Sequence, residues 1–219
     1  HEQLGTKKFD AQAEAVRSQH ADSYLLYQRN HGPNCEAPKT ADDPFCSALP
    51  GFPKPHFGIY PETKEINDAF CATLTGDLVD PMTVVVDDGQ GGLKSVYYQD
   101  YYKEQMAAVA AELDLAADAI TNNQEEKALY AYLRTAAASF RTGNWLESDR
   151  QWVAMNMNNS KYALRVAPDE TYWEPCQSKA GFELWFGKIN KEAVKTIDLF
   201  KPLKDEMMAE LVTLTPYVK

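Results

Sequence analysis

Along residues 6–30, Phe9, Ala13, Val16, His20, Tyr24 and Tyr27 recur at three- and four-residue steps, which predicts one amphipathic helix stopping near His31-Gly32-Pro33. The pattern then breaks. Residues 31–62 hold prolines at 33, 38, 44, 50, 53, 55 and 61 and read as a long ordered loop. Thr63 to Leu74 reads as a short helix capped by Thr63, with Ile66, Phe70 and Leu74 on one side. The β-branched run Met82–Val86, the Gly-rich turn 87–92 and the alternating run Leu93–Tyr98 predict a β-hairpin. Ala-, Leu- and Glu-rich stretches predict helices over 100–121 and 124–141, the second ending at Gly143, and a shorter one over 145–155. Strands are expected around Lys161–Val166 and Gly181–Ile189. A last helix runs from Lys191 towards Leu214 with a kink or break at Pro202.

These elements make an α+β chain, mainly helical, with a small, mostly antiparallel sheet built from the 82–98 hairpin and the 161–189 strands. The expected organisation is an N-terminal helix with a Pro/Cys-rich loop (1–62) and an α+β portion (63–219), together one compact unit. A length of 219 residues, 44% hydrophobic content and 25% charge suit a globular core. A net charge of −10 argues against nucleic acid and against an anionic membrane surface. No apolar run approaches the ~20 residues of a membrane span.

Cys35 and Cys46 bracket a helix-poor, Pro-rich loop suited to a small disulfide loop, while Cys71 and Cys176 either form a second bridge or stay reduced. The placement points to a periplasmic or secreted protein, with buried thiols in a cytoplasmic one as the alternative. The chain opens at His1 without Met and shows no signal peptide, as a mature or trimmed product would. It closes on TPYVK, which is compatible with trypsin-like cleavage.

The candidate chemistry lies between the last two strands. Glu170 and Tyr172, two apart in an extended segment, would share a face. A carboxylate in an aromatic, partly apolar setting is costly to desolvate unless it meets a cation. An ammonium on a ligand is one such cation. Arg165 or Lys179 in a structural ion pair is the other reading, with Tyr172 then a core residue.

The wording of this region resembles the dipeptidyl-peptidase III family, zinc aminopeptidases that remove dipeptides. DETYWEP (169–175) followed by KAGFELWF (179–186) is similar to the family's (I/Y)E(S/T)Y…(D/E)P…GFE(G/A)F region, closest to its bacterial branch. IYPETKEINDAF (59–70) resembles that branch's YPxDxxxxEF segment, and the stretch from Asp80 to Met106 its SPFTVIRRxGGxLxxVPYxxxY hairpin. NWLESDRQWVAMN (144–156) is similar to its acid-Trp helix. The resemblance runs from about Ile59 to Ile197; nothing before Ile59 takes part.

The resemblance implies that Glu170 holds the substrate's amino terminus and that Tyr172 bonds the scissile carbonyl or its oxyanion. It matches Asp149 and Trp152, three apart on one helix face, to the family's acid-Trp pair, and packing and orienting is the role read for them. It puts Glu174 at an acidic position that caps the turn before Pro175. Asn156, Asn158 and Asn159 are polar enough to bond a peptide backbone, Asn158 being the candidate, although a helix end with its loop explains them as well. Asp169 and Cys176 depart from the bacterial pattern, which has apolar or aromatic residues there.

Zinc hydrolysis needs about three protein ligands and an open position, commonly a His pair on a helix. The four histidines (1, 20, 31, 56) form no HExxH, HExxGH or HExxxH string, so no metal ligand is assigned in this chain. The resemblance therefore implies the N-terminal, substrate-binding part of a longer zinc peptidase. Its partners are a peptide substrate and a C-terminal zinc-bearing part of the same gene product. The alternative is a non-catalytic secreted or periplasmic module that binds peptides or a protein.

Overall fold

The computed structural model describes residues 1–35, 40, 43, 45–51, 53–54 and 56–215. Prolines 38, 44 and 55 of the predicted loop, and the last four residues of the TPYVK ending, lie outside the described residues. The chain is α+β and mainly helical, with two small antiparallel two-stranded sheets. It divides into two compact units, His1–Lys103 with Pro168–Glu183, and Glu104–Ala167 with Leu184–Lys219.

In the first unit the predicted 6–30 helix is two: α1 (Asp10–Val16) and α2 (Ala21–Asn30). His20 leaves helical geometry at φ −139° and ψ 69°. The break has a packing reason. One straight helix would separate Ala13 from Tyr27 by roughly 20 Å at 1.5 Å per residue. The fold instead joins both in one cluster with Ala48 and Leu49, flanked by Phe9 and Tyr24. Tyr27 also donates its hydroxyl to Asp10 at 2.6 Å across the turn. His31 ends α2 in the left-handed region at φ 51°.

The loop that follows is pinned by the Cys35–Cys46 disulfide and by the Asn34–Ser47 bridge beside it. The predicted 63–74 helix shrinks to α3 (Asp68–Cys71). Its cap is Asn67, which accepts the Phe70 N–H at 3.0 Å, and not Thr63, which is turned to Asp87 instead. Phe70 and Leu74 are buried as expected. The hairpin forms with β1 (Thr83–Asp87) and β2 (Leu93–Tyr97) in the register Thr83 to Tyr97. Val85 on the other edge of β1 donates its N–H to Ile59 at 2.9 Å, so a loop occupies the place of a third strand. The short helix α4 (Tyr98–Tyr101) completes this part, and the buried Tyr98 donates its hydroxyl to the Ala180 carbonyl at 2.9 Å.

In the second unit, α5 (Lys103–Ile120) begins after a break at Tyr102. It buries Met106, Ala110, Leu113 and Ala117 at helical spacing. Helix α6 (Lys127–Thr142) buries a stripe from Leu129 to Phe140 and ends, as predicted, at a left-handed Gly143 with φ 73°. Helix α7 (Leu146–Ala154) packs on it, Phe140 meeting Trp145 edge to face at 5.0 Å. The strands β3 (Tyr162–Pro168) and β4 (Phe182–Lys188) pair with each other, and among the described residues no ladder joins them to the hairpin. The expected single sheet is therefore two. Buried Tyr132 serves β3 from the helical side, accepting the Val166 N–H at 2.8 Å. The C-terminal segment forms α8 (Lys191–Phe200), a 3-10 turn at Lys201–Leu203 and α9 (Lys204–Leu214), so Pro202 interrupts the helix as expected.

Cys71 and Cys176 are bridged across a sequence separation of 105, against 11 for Cys35 and Cys46. Closing the longer loop removes more denatured-state entropy. Replacing Cys71 and Cys176 together by Ala is expected to cost about 2–5 kcal/mol of unfolding free energy. Urea denaturation should show a larger midpoint loss than for the Cys35→Ala/Cys46→Ala pair. An equal or reversed order would remove loop entropy as the main contribution.

Candidate functional site

The segment after β3 is not the extended stretch that the sequence pattern suggested. The pairing closes with Asp169 donating to the Gly181 carbonyl at 3.1 Å and Gly181 donating to the Glu170 carbonyl at 2.9 Å. Thr171–Gln177 between these rungs is a succession of turns and bends. Glu170 and Tyr172 thus stand at the rim of a loop and not on one face of a strand. Gly181 has a steric reason to lack a side chain. A Cβ there would lie 2.8 Å from the indole nitrogen of Trp173, which itself donates to the Lys179 carbonyl at 2.6 Å.

The loop is organised by Glu174, which is only 3% exposed. One carboxylate oxygen accepts the N–H groups of Ser178 (2.6 Å) and Lys179 (3.1 Å). The other accepts the Cys176 N–H (2.7 Å) and the Tyr60 hydroxyl (2.9 Å). Four donors saturate a carboxylate, the condition under which burying its charge is tolerable. Burial pushes the Tyr60 phenol well above its ordinary range, and the adjoining Glu174 charge adds to this while the Ser178 hydroxyl opposes it. Cys176, in the same loop, is tied to α3 by its disulfide.

Lys179 is fully buried, and its ammonium donates to the Asp80 carbonyl and the Thr83 hydroxyl, each at 2.8 Å. Burial pushes this ammonium down to about 8, with the Asp80 and Glu174 charges opposing the shift. Nothing in the sequence pattern marked Lys179 as buried; it stood there as a candidate partner for Glu170. The Glu170 carboxylate is exposed and takes no hydrogen bond or ion pair among the described residues. Tyr172 is 71% exposed.

In the second unit, Asp149 on α7 pairs with the buried Arg165 of β3 at 2.7 Å. The Arg165 guanidinium lies over the Trp152 ring at 4.8 Å, and Trp152 meets Trp185 edge to face. Asp149 and Trp152 thus hold one arginine between them. Asn158 is exposed in the loop after α7, where its N–H donates to the Asn156 side chain at 2.9 Å. Glu126, absent from the sequence-based candidates, is buried and accepts the Ser160 hydroxyl at 2.6 Å and the Lys161 N–H. Its place in an ordinary-looking acidic helix start, QEE, gave no sign of burial.

No family model matches the chain, and no curated protein sequence does. Solved structures do. DPP III from Caldithrix abyssi superposes with a TM-score of 0.72 at 20% identity, covering 94% of this chain and 39% of that one. Dipeptidyl-peptidase III from Corallococcus sp. strain EGB gives 0.70 at 17% identity, covering 94% and 38%. The fold is dipeptidyl-peptidase III-like. The chain spans about two fifths of the length of either neighbour.

Within this dipeptidyl-peptidase III-like fold, no group of three His, Cys, Asp or Glu side chains among the described residues could hold a metal ion, and the four cysteines are consumed by disulfides. The described residues do not fit a zinc site. No helix among the described residues is long and apolar enough to cross a membrane. An open cleft of about 400 Å³ in the first unit is lined by Tyr60, Tyr101, Tyr102, Lys8 and Asp87, and none of the predicted site residues reaches it.

The depressed Lys179 gives a signed pH dependence. Its folded-state value of about 8 lies below the ordinary lysine value of 10.5, so burial of the charged form destabilises the fold below pH 8. That penalty fades as pH rises from 8 towards 10.5, where the folded chain releases the proton first. Between pH 7 and 10, wild type should gain roughly 2–3 kcal/mol relative to Lys179→Met. Urea melts across this window check it; parallel pH profiles would contradict a strained ammonium.

Proposed function

We propose that this chain is the N-terminal substrate-binding part of a zinc-dependent peptidase that removes dipeptides from peptide N-termini. The catalytic zinc motif then belongs to a C-terminal part beyond these 219 residues. The observation that supports the reading most is the Glu170 carboxylate, solvent-facing and without a counter-charge among the described residues, on a loop fixed from beneath by Glu174 and the Cys71–Cys176 bridge. The dipeptidyl-peptidase III-like fold gives that loop a functional context.

In this reading the cation that Glu170 lacks is the ammonium of the peptide's first residue, held by charge-assisted hydrogen bonds. The exposed Tyr172 phenol donates to the scissile carbonyl or to the oxyanion formed from it, where a donor is worth more than in the ground state. Asn158, in the second unit, is a separate candidate whose amide suits a peptide backbone. Glu174, Asp149 and Trp152 position other groups and touch no substrate. The peptide, lying extended, pairs through its main chain. Zinc held elsewhere in a complete enzyme would supply Lewis-acid activation of water, and no step is assigned to a metal on this chain. Two disulfides support a periplasmic or secreted location, since such bonds persist in oxidising compartments.

Calorimetry with a free-amine tetrapeptide and its N-acetylated form tests the role of Glu170. The free amine should bind at least about tenfold more tightly, or ~1.4 kcal/mol, and Glu170→Ala should abolish the difference. Equal affinities for the two peptides would overturn the assignment. In the longer gene product the same substitution should lower kcat/KM about 10- to 100-fold, the worth of hydrogen bonds to a charged group.

A further inference from the structure

The C-terminal arm, α8 through α9, is helical and yet buries none of its residues. Phe200, Lys201, Leu203 and Lys204 all stay in the right-handed helical region, so the two helices follow each other through the 3-10 turn without reversal. Along them Ile197, Phe200, Leu203, Met207, Leu211 and Leu214 recur at steps of three and four, each between 46% and 70% exposed. Asp198, Lys201, Lys204, Asp205, Glu206 and Glu210 lie between them, together with the further exposed apolar residues Leu199, Met208 and Val212. Helices of 10 and 11 residues are marginal in water by themselves, and most of their stability comes from burying an apolar face. An apolar stripe this long, standing in solvent, marks an interaction surface.

We infer that this stripe is the docking face for the remainder of a longer polypeptide that carries this chain, an inference that rests on the reading under Proposed function. Two observations select that occupant. The solved neighbours cover 94% of this chain, and the share left uncovered is smaller than the arm, so part of the arm has a counterpart in them. In those neighbours some three fifths of the polypeptide lies outside the matched region, so chain is available there to meet the arm. The partner surface is therefore an apolar face of the same polypeptide, met by α8 and α9 together.

Hydrogen exchange read by mass spectrometry, on the 219-residue chain and on the longer gene product, tests the docking directly. In the isolated chain the 191–214 amides should exchange rapidly, and in the longer product at least about tenfold more slowly. Phe200→Glu with Met207→Glu, both at exposed positions, should leave the isolated chain's near-ultraviolet spectrum unchanged and abolish the added protection. Equal exchange in both forms would overturn the inference. So would strong protection in the isolated monomer, or a concentration-dependent dimer by sedimentation that the double variant dissolves, since a second copy would then be the occupant. Chelator-sensitive dipeptide release by the longer product is read separately. Its absence alongside arm protection would end the peptidase reading and leave the docking face standing.

Discussion

The buried carboxylate of Glu174 is the constraint on which the first unit's loop depends. A charge removed from water must recover its hydration from the protein, and here three backbone N–H groups and one phenol supply it. The three amides belong to residues that follow Glu174 within five positions, so satisfying the charge folds the loop around it. The phenol belongs to Tyr60, more than a hundred residues earlier, so the same act fastens the loop to the segment after the disulfide-pinned region. Cys176 carries a second fastening to α3, and Lys179 a third through Asp80 and Thr83 at the start of the hairpin. Three such ties fasten this short irregular stretch to the rest of its unit.

The second unit solves a similar problem with opposite charge. Arg165 enters β3 among Leu164, Val166 and Ala167, all buried. Asp149 and the Trp152 face from α7 receive its guanidinium, so the strand and helix cannot slide past one another without stranding a charge. Glu126 does the same at the entry to the strand, gathering Ser160 and Lys161. Tyr132 then supports the strand's middle through Val166. Polar groups thus set the register of β3 against the helices, while the alanine- and leucine-rich faces of α5 and α6 supply apolar burial.

What could be read beforehand divides along the same line. Elements governed by local chemistry were legible: the hairpin, the stop at Gly143, the interruption at Pro202 and the Cys35–Cys46 bridge each follow from residue types at short range. The long N-terminal helix misled because its periodicity continues through a break that only packing of Ala13 near Tyr27 requires. The segment at Glu170 misled for a related reason. Alternation implied a strand, but Glu174 competes for the backbone amides that a strand would have offered to a neighbour. Burial of Lys179 and Glu126 was illegible, since a charged residue in a polar-looking stretch carries no mark of the distant hydroxyls and carbonyls that will receive it. The last helices were legible as helix, and the exposure of their apolar residues was not.

Glu170 and Glu174 show how one residue type takes two parts within a single loop. Glu174 has four donors converging on it and no capacity left; bringing a ligand to it would break bonds already made. Glu170 has its main chain engaged with Gly181 while its carboxylate faces water without a described partner. A site that binds a cation from solution needs a carboxylate of the second kind carried by one of the first. An isolated surface glutamate loses side-chain entropy on binding and gains little through water. When its backbone is already fixed, the remaining cost is confined to a few side-chain torsions. The saturated carboxylate therefore bears on the proposed function without touching any ligand, because it sets where the unsaturated one begins its search.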